Sequence, residues 1–174
     1  DLGRSKETHE IKVTSDKIIK AHGRRNAQSQ LQTIDDGVND MLMMDVIEKS
    51  RSQHSNPVVL DQKKDGSWRF CLDFRALNEI TVKEVFPIPR IEEQLEKLRG
   101  KAYFANFDFT SGYWQHRLTE ESKPLTAFST RKGHFQFKAM TMGLCNATAT
   151  FQRAMSEMIE GLDCASVYID DIIV

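Results

Sequence analysis

The sequence predicts an α+β domain with a largely antiparallel sheet. Strand-like and helix-like segments mix along the chain without strict β-α alternation, which argues against a doubly wound parallel sheet. Two pairs of strand-like runs flank tight-turn residues, Asp65-Gly66 and Arg131-Lys132-Gly133. All aromatic residues fall between Trp68 and Tyr168, so the core is expected there. With 174 residues, 40% hydrophobic and 28% charged, the chain has the composition of one globular domain plus a satellite segment.

Taken in order, residues 1–56 lack aromatics and read as a lead-in segment that leans on the rest, not an independent domain. Its charge is uneven: residues 1–25 hold 7 Lys/Arg against 4 Asp/Glu, and residues 26–50 hold 1 against 5. One helix is predicted near 36–49 from Val38, Met41, Leu42 and Val46, capped by Asp35 or Asp36. The polar stretch 20–33 is expected to be mobile. Residues 58–62 and 67–74 predict a hairpin, with Trp68, Phe70, Leu72 and Phe74 on one face and Arg69, Cys71, Asp73 and Arg75 on the other. Ile91, Leu95 and Leu98, closed by Gly100, predict a short helix. Residues 103–109 predict a strand with Tyr103, Ala105, Phe107 and Phe109 on the core face and Asn106 and Asp108 opposite. Residues 125–130 and 134–140 predict a second hairpin. Residues 147–160 predict a helix capped by Asn146, with Phe151, Met155, Met158 and Ile159 inward and Gly161 as its stop. The chain closes with SVYIDDIIV, read as strand, turn and strand.

The formal net charge of -1 excludes a histone-like or tail-driven nucleic-acid binder but leaves room for a local basic surface. No apolar run approaches the ~18 residues of a membrane span, so no membrane partner is expected. Cys71, Cys145 and Cys164 follow no metal spacing and predict buried free thiols in a reducing, intracellular compartment.

Asp170 and Asp171 stand between two apolar triplets, Val167-Tyr168-Ile169 and Ile172-Ile173-Val174. Adjacent carboxylates in such a run need a turn or a compensating cation. A polar hairpin tip accounts for the pair alone. Asp108, at the end of another aromatic-rich strand, makes a three-carboxylate cluster, and hard divalent cations with oxygen ligands best explain that. Two Mg²⁺ ions roughly 3.5–4 Å apart on shared aspartates serve in-line nucleotidyl transfer. Lys63, Lys64, Arg69 and Arg75 surround Asp65-Gly66, either as a solvated basic loop or as a cationic lid over a triphosphate.

Four ordered blocks carry a resemblance: VVLDQKKDGSWRFCLDFRALNEITVKEVFPIPRI, FDFTSGYWQHRL, LTAFSTRKGHFQFKAMTMGLCNATATFQRAM and YIDDIIV. Over residues 57–174 these resemble the reverse transcriptase domain of gypsy-like LTR retrotransposons and, more distantly, retroviral reverse transcriptases. The opening DLGR resembles the segment that precedes that domain in gypsy-like polyproteins.

The resemblance implies a right-hand polymerase palm and fingers without a thumb. It implies an RNA-directed DNA polymerase that adds dNTPs to a primer on an RNA or DNA template. Asp108, Asp170 and Asp171 match the catalytic aspartates that hold two Mg²⁺ (or Mn²⁺) ions. Lys63 and Arg69 match the triphosphate-binding fingers residues. Tyr113 matches the aromatic steric gate beneath the sugar. Met142, Gly143, Phe128 and Gln152 match positions shaping the nucleotide and template pocket.

The family usually reads Pro-Phe-Gly-Leu-Cys-Asn-Ala-Pro where this chain has Thr141 to Thr148, so both prolines are absent and Met142 replaces an aromatic. The match stops three residues past the aspartate pair, before the family's primer-gripping hairpin and thumb. This implies a fragment that does not polymerise processively on its own. The alternative is a truncated, inactive copy that keeps a nucleic-acid-binding surface. RNA-dependent RNA polymerases and palm-type cyclases are disfavoured by Tyr113, by the Trp68-Arg69 hairpin and by the block order.

Overall fold

Several small sheets, rather than one broad one, carry the strands. The computed structural model describes residues 5–20, 27–87, 90, 92, 96, 98–162 and 164–174, with Ser29 and Asp108 described by their backbone. Strands β1 (Thr8–His9) and β6 (Arg117–Leu118) form a short parallel pair. The other pairings between strands are antiparallel, as the sequence predicts: β3 (Val58–Gln62) with β4 (Trp68–Leu72), β2 (Ile47–Lys49) with β8 (Gly133–Phe137) and β7 (Phe128–Thr130), and β5 (Asn106–Asp108) with β10 (Asp171–Ile173) and β9 (Ser166–Tyr168).

The first helix departs from expectation. Helix α1 spans Gln28–Met43, so much of the stretch expected to be mobile is helical, and residues 47–49 are strand instead of helix. At its start the Gln30 side chain accepts the Ala27 N–H (2.9 Å), a cap that lacks the Asp signature sought in the sequence. At its end Asp45 takes a left-handed conformation (φ 58°) and redirects the chain, while its carboxylate binds Lys138 and Arg117. Asp35 caps nothing; it lies within α1 and pairs with Arg131 (2.6 Å), whose hydrogen bond holds the carboxyl below its ordinary pKa. Val38, Met41 and Val46 are buried as their spacing predicts, whereas Leu42 is exposed. Gly37 lies so close to Phe70 of β4 that a Cβ would stand 3.3 Å from that side chain.

The predicted hairpin forms as β3–β4, with Val58 opposite Leu72 and Gln62 opposite Trp68. Gly66 supplies the left-handed residue (φ 82°) after a turn closed by its own N–H on the Lys63 carbonyl (3.0 Å). Short helix α2 (Arg75–Ile80) follows. The predicted helix on Ile91, Leu95 and Leu98 falls largely outside the described residues. Strand β5 is shorter than expected, and its presumed core face is open: Tyr103 and Phe107 are exposed, and only Phe109 packs inward. Pro124 opens a 3-10 turn, Lys123–Thr126, so β7 starts only at Phe128. Helix α3 (Ala147–Met158) buries Phe151 and Met155 but exposes Met158. The cysteines are not buried as expected: Cys145 and Cys164 are exposed and Cys71 is half-buried. No helix among the described residues is long and apolar enough to cross a membrane.

The amino-terminal segment crosses the body of the domain. Ile11 and Ile19 join the core, Val13 bridges Thr81, and His9 lies buried with Nδ1 2.8 Å from Thr150 Oγ1. Burial pushes the His9 pKa down to about 4, reinforced by His116 and Arg153 and opposed by Glu84. An unfolded histidine takes up its proton near 6.5, so between about 6.5 and 4 the unfolded chain binds more protons than the folded one. Stability from His9 is therefore full above about 6.5 and declines as pH falls towards 4, by up to about 1.4 kcal/mol per pH unit. Urea unfolding at pH 7 and pH 5 should show a smaller pH-dependent loss in His9→Gln than in the wild type; equal losses would assign the effect to other groups.

Candidate active site

The aspartate pair sits at the tip of the β9–β10 hairpin. Asp171 pairs across with Tyr168, leaving Ile169 and Asp170 as the turn. Ile169 has φ 55°, a conformation that a β-branched residue adopts only under constraint. The constraint is Gln152 on α3. Its Oε1 accepts the Ile169 N–H at 2.6 Å, and its Nε2 donates to the Val167 carbonyl at 3.4 Å. Gln152 is fully buried, so one amide holds two backbone groups of the hairpin from beneath. On the other side β10 pairs with β5, and the register sets Asp171 opposite Asp108. The Asn106 amide donates to Asp171 Oδ1 at 3.4 Å. Asp170 and Asp171 are exposed, and neither is in an ion pair with a described cation. Among residues with described side chains, no three His, Cys, Asp or Glu groups gather as a metal site. The backbone of Asp108 marks where a third carboxylate is attached.

A cleft of about 670 Å³ opens beside this hairpin. Its walls bring together Lys63, Arg69, Tyr113, Met142 and Asp170, five of the residues singled out in the sequence. Lys63 and Arg69 pair with no described carboxylate. Asp65 is engaged by the Ser67 N–H and hydroxyl (2.9 and 2.6 Å), which holds its carboxyl below its ordinary pKa. Arg75, grouped with them in the sequence, is clamped by Asp73 (2.6 Å) and does not line the cleft.

Tyr113 stacks on Phe151 (centroids 5.0 Å apart, planes 14° apart), which fixes the plane of its ring. Gly112 makes this possible: a Cβ there would stand 2.8 Å from the Phe151 ring. Met142 is exposed on a loop whose Gly143 carbonyl and Cys145 N–H are both bound by the Asn78 side chain (2.7 and 3.0 Å). Gly143 itself is exposed, turns left-handed (φ 93°), and is not in the cleft wall.

Phe128 and Gln152, expected to shape the pocket, do not line the cleft, because both are fully buried. Phe128 packs under Phe70, Phe135 and Phe137, and shapes the fingers only from below. Sequence reasoning missed Asn78 and Phe151 as supports. Their signal was faint: Thr148, Phe151 and Gln152 stand at i, i+3 and i+4 on α3, one helical face.

Comparison with known proteins defines the class. The family described as reverse transcriptase (RNA-dependent DNA polymerase) matches residues 62–174, and this chain belongs to it. Among its relatives, the enzymatic polyprotein of Figwort mosaic virus (strain DxS) is 39% identical over 79% of this chain, and the retrovirus-related Pol polyprotein from transposon 297 of Drosophila melanogaster is 37% identical over 95%. The chain spans 21% and 16% of those two polyproteins. The prototype foamy virus protease-reverse transcriptase superposes with a TM-score of 0.87 over all of this chain and 24% of that one, at 25% identity. The foamy viral enzyme in complex with dsDNA gives 0.85 over 99% of this chain and 37% of that one.

If Gln152 holds the hairpin, Gln152→Ala leaves a buried N–H and carbonyl unpaired. Stability should fall by about 1–3 kcal/mol in urea unfolding. A loss below about 0.5 kcal/mol would mean that water or a shifted turn satisfies both groups.

Proposed function

We propose that this chain is the fingers and palm of an RNA-directed DNA polymerase from a gypsy-like LTR retrotransposon polyprotein. The observation that carries the reading is a cleft whose wall brings together Lys63, Arg69, Tyr113, Met142 and Asp170. It joins cations from the β3–β4 hairpin with a carboxylate from the aspartate turn, the combination that a metal-bound nucleoside triphosphate requires. The donor set fits hard divalent cations: the carboxylates of Asp170 and Asp171 are exposed and unpaired with described cations. Asp108, Asp170 and Asp171 would hold two Mg²⁺ or Mn²⁺ ions. When bound, such ions activate the primer 3′-OH and neutralise the departing pyrophosphate.

The chain's own residues do the rest. Lys63 and Arg69 bind the triphosphate from the fingers hairpin. Tyr113, fixed by Phe151, presents its ring beneath the sugar and excludes a 2′-OH. Met142 and Gly143 form the loop beside the base, and Gln152 keeps the aspartate turn in place. Primer and template are held through their backbones, so affinity falls steeply with salt. Residues 1–56 act as a strap, not as an independent domain, since Ile11, Ile19, Val38 and Met41 share one buried cluster with Phe74, Phe128 and Phe151.

The test replaces the matching segment of the transposon 297 polyprotein with this chain and follows oligo(dT) extension on poly(rA). Asp108→Asn and Asp170→Asn should each reduce Mg²⁺-dependent extension to background, while Tyr113→Ala should raise UTP use relative to dTTP. Full extension by either aspartate variant would sink the proposal. Separately, a fragment of residues 1–56 should show no cooperative unfolding by circular dichroism; a cooperative transition would make it a domain.

A further inference from the structure

Thr148 lies in the first turn of α3, where the family pattern carries proline. Its Oγ1 stands 3.4 Å from the Tyr113 hydroxyl. Proline has no hydroxyl, so a chain with that pattern could not make this contact. Tyr113 is thus held at two points. Phe151 fixes the plane of the ring by stacking, and Thr148 limits rotation within that plane by engaging the phenol oxygen. Thr148 and Phe151 are one helical turn apart on the same rigid element, so the two holds cannot drift independently. At 3.4 Å the separation is at the long end for a hydroxyl pair, so the contact is a modest one.

We propose that Thr148 is a positioning residue for sugar selection: its hydroxyl sets how far the Tyr113 ring projects into the cleft. The inference rests on the polymerase reading above and on Tyr113 as the gate. Without the Thr148 hydroxyl the ring still stacks on Phe151 but is free to tip away from the sugar, and a 2′-OH then fits. The nucleotide most affected is the ribonucleotide, because a deoxyribose needs no protection from the ring. Thr148 touches no substrate, so its effect should be confined to the ratio of ribo- to deoxynucleotide use.

Single-nucleotide incorporation of dTTP and UTP, measured in the chimeric polyprotein, tests this. Thr148→Val removes the hydroxyl and keeps the shape. It should raise the UTP-to-dTTP ratio of kcat/KM by roughly 3–10-fold, the worth of one modest hydrogen bond. Thr148→Ser should restore the wild-type ratio. Tyr113→Phe should raise the ratio similarly, and adding Thr148→Val to it should bring no further change, because the same contact is already lost.

A second measurement needs no activity. In urea unfolding of the chain itself, the Thr148→Val and Tyr113→Phe costs should be non-additive. An unaltered ratio in Thr148→Val, with dTTP still incorporated, would overturn the inference alone. Additive ratios or additive stabilities would do the same. Absence of dTTP incorporation by the wild-type chimera would instead overturn the polymerase reading, and this inference with it.

Discussion

The ring of Phe151 is the contact on which the cleft depends. It stacks under Tyr113, meets Phe109 and His116 edge-on, and leaves Gly112 no room for a side chain. Edge and face contacts of this kind have definite geometry, so the plane of the Tyr113 ring is set. The next residue, Gln152, holds the Ile169 N–H and keeps the aspartate turn in its strained form. One helix therefore supports both Tyr113 and the aspartate turn. Displacing α3 would move both together.

Charge is arranged along the same cleft. A net charge of -1 conceals a cleft lined by both signs, with Lys63 and Arg69 on the β3–β4 hairpin and Asp170 at the tip of the β9–β10 hairpin. Near the first hairpin, Asp65 is engaged by Ser67 and Arg75 by Asp73. Lys63, Arg69 and Asp170 form no ion pair with a described residue and line the cavity.

The amino-terminal strap ties these parts from behind. His9 reaches Thr150 on α3, and Arg153 on the same helix binds Glu7 at 2.6 Å and Glu84 at 3.4 Å. The strap thus bears on the helix beneath the active site. His9 on the strap and His116 beside β6 are both buried, both have pKa values lowered by burial, and both favour the neutral form that the packed state requires.

Sequence by itself determined the features that arise from local patterning. Alternation from Trp68 to Leu72 with Asp65-Gly66 defined one hairpin, and the apolar triplets around Asp170-Asp171 defined the other, because strand faces and tight turns depend on near neighbours. The three aspartates and Tyr113 stood out for a different reason: their motifs are specific enough to name a family. The limits of α1 were not legible, because a left-handed Asp45 and pairing with β8 end it. Nor was the burial of Phe128 and Gln152, or the exposure of Tyr103 and Met158, since an apolar or polar side chain is sorted by what packs over it. Only the tertiary structure decided that Gln152 serves the aspartate turn and Thr148 the Tyr113 hydroxyl. Those contacts join residues 17 and 35 positions apart, and no local period encodes them.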